Sequence, residues 1–191
     1  LLFGTPSGFD IPLLTNLLAS TNRICQALAV ASPSEVVERI ALLTEPAAPE
    51  GWFEKLKTAP HVAALSRVSP RRVKSASCQQ IVRLGGDVDL GNLPALKSAP
   101  EEPGRTTPAA VLFTADADTH HPVAGRWDLP VLDHNSLAIA CSDDEEPARL
   151  LLDYRSRNEK MPVAIVLGGD PALLLASMAP VPAAVETCAL A

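Results

Sequence analysis

The sequence predicts an α+β fold, with helices concentrated in the first part of the chain and strands in the second. Apolar residues recur at helical spacing early in the chain, whereas apolar runs of strand length, separated by turn residues, dominate after Pro70. The 18 prolines among 191 residues are spread between these elements rather than gathered into one linker. Helices followed by strands with inserted helices are typical of α+β proteins. We therefore expect a helix-rich α/β region at 1–84 and a strand-rich region at 85–191.

In the first part, a short apolar run over 11–16 predicts a strand. Residues 32–35, Ser-Pro-Ser-Glu, form a capping box with proline at the first helical position. Caps, apolar spacing and prolines together predict four helices: from Ser20 or Thr21, from Pro33 to Pro46, at 50–58, and at 60–67.

The second part contains alternating strand, turn and helix signals. The predicted elements are, in chain order, a strand at 79–84, a proline-rich loop at 94–108, a strand at 109–114, a polar hairpin-like loop at 116–122, strand material at 129–141 broken by a turn at 133–135, a helix at 147–158 and a strand at 162–167. We expect the wholly apolar last strand to be buried on both faces. Asp170 then caps another helix, with Pro171 at its first position.

Charge and hydropathy disfavour several classes of function. The net charge is −6, and 71–74 is the only tight basic cluster, which argues against nucleic-acid binding. No apolar run reaches the roughly 18 residues of a membrane span, and no signal-type segment opens the chain, so we expect a cytoplasmic protein. The four cysteines form no Cys-x-x-Cys pair, so we expect reduced, buried thiols rather than a zinc or redox site.

Three polar clusters are candidates for chemistry, and each has a simpler structural interpretation. The loop at 116–121 contains two aspartates and two histidines that could hold a metal, but adjacent histidines do not easily share one ion, which favours a solvated loop. The acidic run 143–146 precedes a helix, where the helix dipole favours negative charge. Gly-Gly-Asp at 168–170 could bind phosphate on free amides, but the charge of Asp170 favours an ordinary capped turn.

One segment, Met161–Pro182, contains the run Pro-Val-Ala-Ile-Val-Leu-Gly-Gly-Asp-Pro-Ala. Three shorter segments, 12–17, 73–79 and 87–94, precede it in the chain. Together they resemble the UbiD family of prenylated-flavin-dependent decarboxylases, which includes 3-polyprenyl-4-hydroxybenzoate decarboxylase. The segment 12–17 resembles the family's early strand, and the other two resemble the entry to its flavin-binding split β-barrel. The resemblance follows the family's order and covers nearly the whole chain.

The resemblance implies an α/β layer followed by a split β-barrel of UbiD type, of which this chain carries a part. It also implies prenylated FMN as the cofactor and a divalent metal, usually manganese, that bridges the flavin phosphate to the protein. The cofactor supplies the chemistry by forming an adduct with an aromatic or unsaturated acid, from which carbon dioxide leaves.

Residue by residue, the resemblance implies that this chain departs from the family at its cofactor positions. The family's metal-binding Asn falls at Val123, its flavin-contacting Arg at Asp128, and its metal-binding His at Asp144. Valine cannot ligate a metal, aspartate would repel a flavin phosphate, and one carboxylate makes a poor cation site. The family's remaining metal carboxylate and its catalytic Glu-Arg-Glu group lie downstream of Ala191. We expect no catalytic residue in this chain.

Three hypotheses remain open. In the first, the chain is the amino-terminal and central part of a UbiD-type carboxy-lyase, cut from a longer protein or incomplete, in which a continuation supplies the missing glutamates and cofactor binding survives in an altered form. Because of the three substitutions, however, we expect this chain to be degenerate and to bind neither prenylated FMN nor manganese by itself. In the second, it is a non-catalytic interaction subunit that assembles with a complete UbiD-type partner. In the third, it binds a flavin or another small ligand, keeping the barrel but using a different anion contact, such as Arg105, Arg126 or Arg149. Because an incomplete barrel leaves strand edges unpaired, we expect a homo-oligomer or a partner-dependent fold.

Overall fold

The computed structural model describes residues 1–44, 73–97, 99–102, 104–139, 141–142, 145–179 and 187–191. Packing divides the chain into two compact units. The first comprises Leu1–Leu17 and Val73–Gly169, and the second takes the described residues within Leu18–Arg72 and Asp170–Ala191. The expected boundary between residues 84 and 85 stays a prediction.

The described strands all lie in the first unit. They are β1 (Leu2–Phe3), β2 (Leu13–Leu14), β3 (Thr106–Ala115), β4 (Pro122–Pro130) and β5 (Ala164–Val166). β1 pairs with β2, and the other three form an antiparallel sheet in the order β4-β3-β5. Within the described residues this sheet is not closed, so it forms a partial barrel.

The described α-helices are shared between the two units. They are α1 (Thr21–Ala27), α2 (Pro33–Thr44), α3 (Glu146–Ser156), α4 (Pro171–Ala176) and α5 (Thr187–Leu190). Only α3 belongs to the first unit. The α+β fold class predicted from the sequence is confirmed. No helix in the described ranges combines the length and apolar character that crossing a membrane requires.

The core of the first unit lies along the middle of β3 and the end of β4. Residues 110–112 of β3 are buried, and Leu129 of β4, at 1% exposure, is the largest fully buried side chain of the described residues. The hydroxyl of Thr107, itself buried, donates to the Leu129 carbonyl at 3.0 Å. This side chain therefore reinforces the pairing of β3 with β4 inside the core.

A β-bulge interrupts β3 next to this core. The register shifts between Thr107 and Ala110, so Pro108 and Ala109 together face the single residue Asp128 of β4. Ala109 has a φ of 56°, in the left-handed region where bulges usually carry glycine. The bulge lies beside one of the candidate cofactor positions.

The first two helices begin where their capping residues predict. Ser20 accepts a hydrogen bond from the Arg23 amide at 3.4 Å, and α2 starts at Pro33. The capping box takes a shifted form, because Glu35 Oε2 accepts from the amide of Ala31 at 3.0 Å. The prolines predicted to end α2, and the helices predicted at 50–58 and 60–67, lie outside the described residues.

The strand predicted at 79–84 is wrong. The short 3-10 helix Ser77–Gln79 takes its first residue, and a second 3-10 helix, Gly85–Asp87, follows its last residue. Ile81 and Leu84 are 80% and 74% exposed. An apolar run becomes a strand only where a neighbouring strand pairs with it and a core covers it, and no described strand pairs with this segment.

The predicted start of β4 is also wrong, because the strand begins at Pro122 rather than at residue 129. Gly125, Arg126 and Asp128 break its apolar pattern, and pairing with β3 overrides that weak local signal. In the described residues between Pro130 and α3 the chain is mostly irregular, although the predicted turn at 133–135 is present.

Two predictions of burial are wrong. β5 forms as predicted, but Ala164 is exposed, so the strand is not buried on both faces. Cys25 is buried, whereas Cys78 and Cys188 are exposed. Burial depends on what packs over a residue from distant parts of the chain, which composition does not specify.

Candidate functional site

Two of the three candidate cofactor positions, Val123 and Asp128, lie on β4. Side chains alternate between the two faces of a strand. Val123 belongs to the row that contains buried Gly125 and Leu129, whereas Asp128 belongs to the row of exposed Arg126. Five residues of extended chain span about 17 Å. The structure therefore places the two positions on opposite faces of β4 and does not bring them together.

Val123 takes part in strand packing. It is half-buried and pairs with Thr114 of β3. Thr114 is buried, and its hydroxyl donates to the carbonyl of Pro162 at 2.9 Å, next to β5. Because an isopropyl group has no lone pair, this position offers no ligand atom to a metal.

On the same face of β4, the Trp127 ring covers Gly125. A Cβ atom at Gly125 would collide with the far edge of that ring. Gly125 is buried beneath it, so glycine is required here for close approach rather than for a special backbone conformation. The ring thus fills the space above Gly125, the next residue of the row that contains Val123.

On the other face, the carboxylate of Asp128 accepts two hydrogen bonds on one oxygen. Asp128 Oδ1 accepts from the backbone amide of Ala109 at 2.9 Å and from Nη2 of Arg126 at 2.7 Å. The side chains of Arg126 and Asp128 remain 37% and 50% exposed. The carboxylate is therefore held against the bulge in β3, and it balances the charge of Arg126.

The third candidate position, Asp144, lies outside the described residues, so its role as a metal ligand stays a prediction. The described chain resumes at Glu145, which is the N-cap residue of α3, and Glu146 lies in the first turn. Negative charge at these positions is favoured by the helix dipole. This supports the structural interpretation of the acidic run for its two described members.

Asp116 organises the loop between β3 and β4. Its Oδ1 accepts from the amides of Asp118 and Thr119 at 3.0 and 2.7 Å and from the Thr119 hydroxyl at 2.8 Å. These hydrogen bonds, led by those from Thr119, hold the pKa of Asp116 below its usual value. The loop is an Asx turn that closes the hairpin. In the described part of the chain, no three His, Cys, Asp or Glu residues are grouped as a metal site requires.

Arg157 connects this loop to α3. Its Nη1 and Nη2 donate to the two carboxylate oxygens of Asp118 at 2.7 and 2.6 Å, and Nη2 also lies 3.1 Å from Asp153 Oδ2. The hydrogen bonds and charge of Arg157 lower the pKa of Asp118, and the two carboxylates raise the pKa of Arg157. Tyr154 adds a second link, because its hydroxyl donates to the carbonyl of Ala115 at 3.1 Å. The loop is thus fastened to a helix.

This connection between the loop and α3 was not predicted from the sequence. The four-residue spacing of Asp153 and Arg157 on a predicted helix was a usable signal for an ion pair. The contact with Asp118, 39 residues away, has no local signature.

The Gly-Gly-Asp turn at 168–170 is the capped turn that the sequence favours. Asp170 Oδ1 accepts from the amide of Ala172 at 2.8 Å, and α4 begins at Pro171. Gly168 has a φ of 64°, which glycine adopts without strain. The carboxylate of Asp170 takes the position that a bound anion would need.

The chain is similar to a known protein family and to proteins of solved structure. The family model of the 3-octaprenyl-4-hydroxybenzoate carboxy-lyase Rift-related domain, UbiD, matches residues 71–191. An uncharacterized protein of Aquifex aeolicus (strain VF5) is 32% identical over 186 residues, which are 97% of this chain and 38% of that protein. The chain therefore spans less than half the length of this relative.

Solved structures share the fold at low identity. The UbiD-class enzyme HmfF from Pelotomaculum thermopropionicum, in complex with FMN, matches with a TM-score of 0.72 at 19% identity over 99% of this chain and 38% of its own. Vanillic acid decarboxylase (ShVdcCD) from Sedimentibacter hydroxybenzoicus, in its closed form, matches with a TM-score of 0.73 at 19% identity over 96% of this chain and 37% of its own. Apo 3,4-dihydroxybenzoic acid decarboxylase (AroY) from Klebsiella pneumoniae gives 0.70 at 18% identity over 95% and 34%.

Proposed function

The chain belongs to the UbiD family, and from that premise we propose that it is a degenerate carboxy-lyase-like module that does not decarboxylate an acid by itself. One observation carries the proposal: Asp128, at the position implied for a flavin-contacting arginine, has its carboxylate committed to Ala109 and Arg126. The proposal concerns the segment described above, which spans 38% of the solved relative HmfF.

The residues around Asp128 do not fit a flavin phosphate. HmfF is described with FMN and, in an evolved dimeric form, with prenylated FMN. A phosphate group needs cations and N–H donors around it. Here the position supplies a carboxylate, and the nearby cation, Arg126, is already paired with that carboxylate at 2.7 Å. We therefore assign no reaction step to a flavin in this chain.

The metal expected of the family meets a similar obstacle. Manganese and magnesium bind oxygen-rich sites with several ligands. Val123 has no ligand atom, and Asp144 would offer one carboxylate. We propose that this chain holds neither manganese nor prenylated FMN.

A flavin titration tests the proposal. FMN fluorescence is followed while the full 191-residue chain is added, with HmfF as the positive control. We expect no saturable change, corresponding to a Kd weaker than about 1 mM. A Kd in the micromolar range would overturn the proposal. The variant Arg126→Ala separates the third hypothesis, because an anion site built on Arg126 would lose its affinity in that variant.

A second candidate function, an interaction subunit, is favoured by apolar surface on the first unit. Leu1, Leu2, Ile81 and Leu84 are each at least 70% exposed. Apolar side chains this exposed are available for burial against a second chain. ShVdcCD was also solved with a truncated ShVdcD component, and HmfF in an evolved dimeric form. We propose that this chain, in the cytoplasm, assembles with itself or with a complete UbiD-type subunit.

Light scattering tests this second function. The full chain is measured alone at micromolar concentration and again with a complete UbiD-type subunit added. We expect a mass that is a multiple of the single chain, or a mixed complex. A monomer in both measurements contradicts the assembly, while leaving the proposed loss of the cofactor contacts unaffected.

A further inference from the structure

We infer that Asp128 caps the bulge in β3. Because of this cap, the loss of the flavin-contacting arginine is irreversible in the sense that a single substitution, Asp128→Arg, cannot restore that arginine without disrupting the strand. The second half of the inference rests on the proposed function, whereas the first half depends only on the hairpin geometry. Asp128 would thus have a structural role at a position whose family role is cofactor binding.

The bulge leaves one amide without a partner in the β3–β4 ladder. Where two residues of one strand face one residue of the other, the extra residue loses its main-chain pairing. Pro108 has no N–H to donate. Ala109 is therefore the only amide donor in the bulge, and it donates to Asp128 Oδ1 at 2.9 Å. The carboxylate replaces the missing main-chain acceptor.

The backbone at Ala109 increases the need for this contact. Its φ of 56° lies in the left-handed region, which is unfavourable for a residue with a Cβ atom. Glycine would adopt that conformation freely. Because the chain carries alanine here, surrounding contacts must hold the bulge in place, and the Asp128 carboxylate is the side chain that contacts its amide.

Arginine at position 128 would undo this arrangement in two ways. A guanidinium has only donors and cannot accept the Ala109 amide. It would also place a second cation on the same face as Arg126, two residues away, in place of the present ion pair at 2.7 Å. The substitution that restores the family residue therefore disrupts the strand that presents it.

The test compares Asp128→Asn, Asp128→Ala and Asp128→Arg in the full chain. Asparagine keeps a carbonyl acceptor of similar shape and loses the charge, so it is the matched control. We expect alanine and arginine to speed hydrogen exchange of the Ala109 amide at least about tenfold, measured by NMR, and to lower Tm by about 2–6 °C. Asparagine should retain most of the protection.

The variant Ala109→Gly tests the coupling even if Asp128→Arg does not fold. Glycine relieves the strained φ, so we expect Asp128→Ala to lower Tm by less in the Ala109→Gly background than in the wild type. Equal Tm losses in the two backgrounds, or unchanged exchange at Ala109 in Asp128→Ala, would overturn the cap. An Asp128→Arg variant that keeps the wild-type Tm would overturn the irreversibility. FMN binding by the wild type contradicts the proposed function alone and leaves the exchange results standing.

Discussion

Truncation of Leu129 should destabilise the β3–β4 hairpin more than truncation of an exposed leucine. Leu129 is 1% exposed and is the largest fully buried side chain in the described part of the chain. Burial of the lost methyl and methylene groups contributes about 2 kcal/mol, and the cavity left behind raises the cost of Leu129→Ala to about 3 kcal/mol. For a chain of this length that corresponds to a Tm lower by about 6–12 °C.

The matched control is Leu152→Ala on α3, which removes the same atoms from a side chain that is 58% exposed. We expect that variant to stay within about 0.5 kcal/mol of the wild type. Urea unfolding followed by circular dichroism gives both free energies of unfolding. Equal losses in the two variants, or a loss below about 1 kcal/mol for Leu129→Ala, would refute the placement of the core beside Asp128.

Three further predictions concern the contacts that hold the β3–β4 hairpin and its loop to the rest of the first unit. Tyr154→Phe removes the hydrogen bond to the Ala115 carbonyl and should cost about 1 kcal/mol in urea unfolding, so an unchanged midpoint contradicts that link. Thr114→Val leaves the Pro162 carbonyl without its hydroxyl donor and should cost a similar amount, about 1 kcal/mol, whereas Thr114→Ser should retain part of it. Because the pKa of Asp118 is lowered from 3.8, its stabilising contribution is present above that value and is lost as the pH falls through the lower folded-state pKa. Unfolding at about pH 5 and pH 3 should therefore show a smaller pH dependence in Asp118→Asn than in the wild type, and equal dependence contradicts the ion pair.

Local signals in the sequence predict the elements that depend on near neighbours. The helix α3 has buried Leu150 and Tyr154 at the predicted four-residue spacing. Asp170 caps α4 as predicted, because cap and first helical residue are adjacent in the chain. The early part of β4 was not predictable in this way. Its charged Arg126 and Asp128 lie on an exposed face, and only pairing with β3 makes that segment a strand.

The residues of the candidate site, like the elements of the fold, could be predicted only in part from the sequence. The resemblance to the family predicts that Val123 and Asp128 are substituted cofactor positions, and both residues lie on β4. Asp128 accepts a hydrogen bond from the amide of Ala109, 19 residues earlier, at a bulge that no local sequence pattern predicts. A bulge is set by the register of two strands, so the structural role of Asp128 emerges only when those strands are paired.

The most direct test of the account is anaerobic reconstitution of the full chain with prenylated FMN and manganese. After desalting, the absorbance spectrum gives the retained flavin, and elemental analysis gives the retained metal. The account predicts a colourless, metal-free protein, because Val123 offers no ligand and Asp128 presents negative charge where the phosphate contact is expected. Flavin and manganese retained in equal amounts with the chain would contradict it.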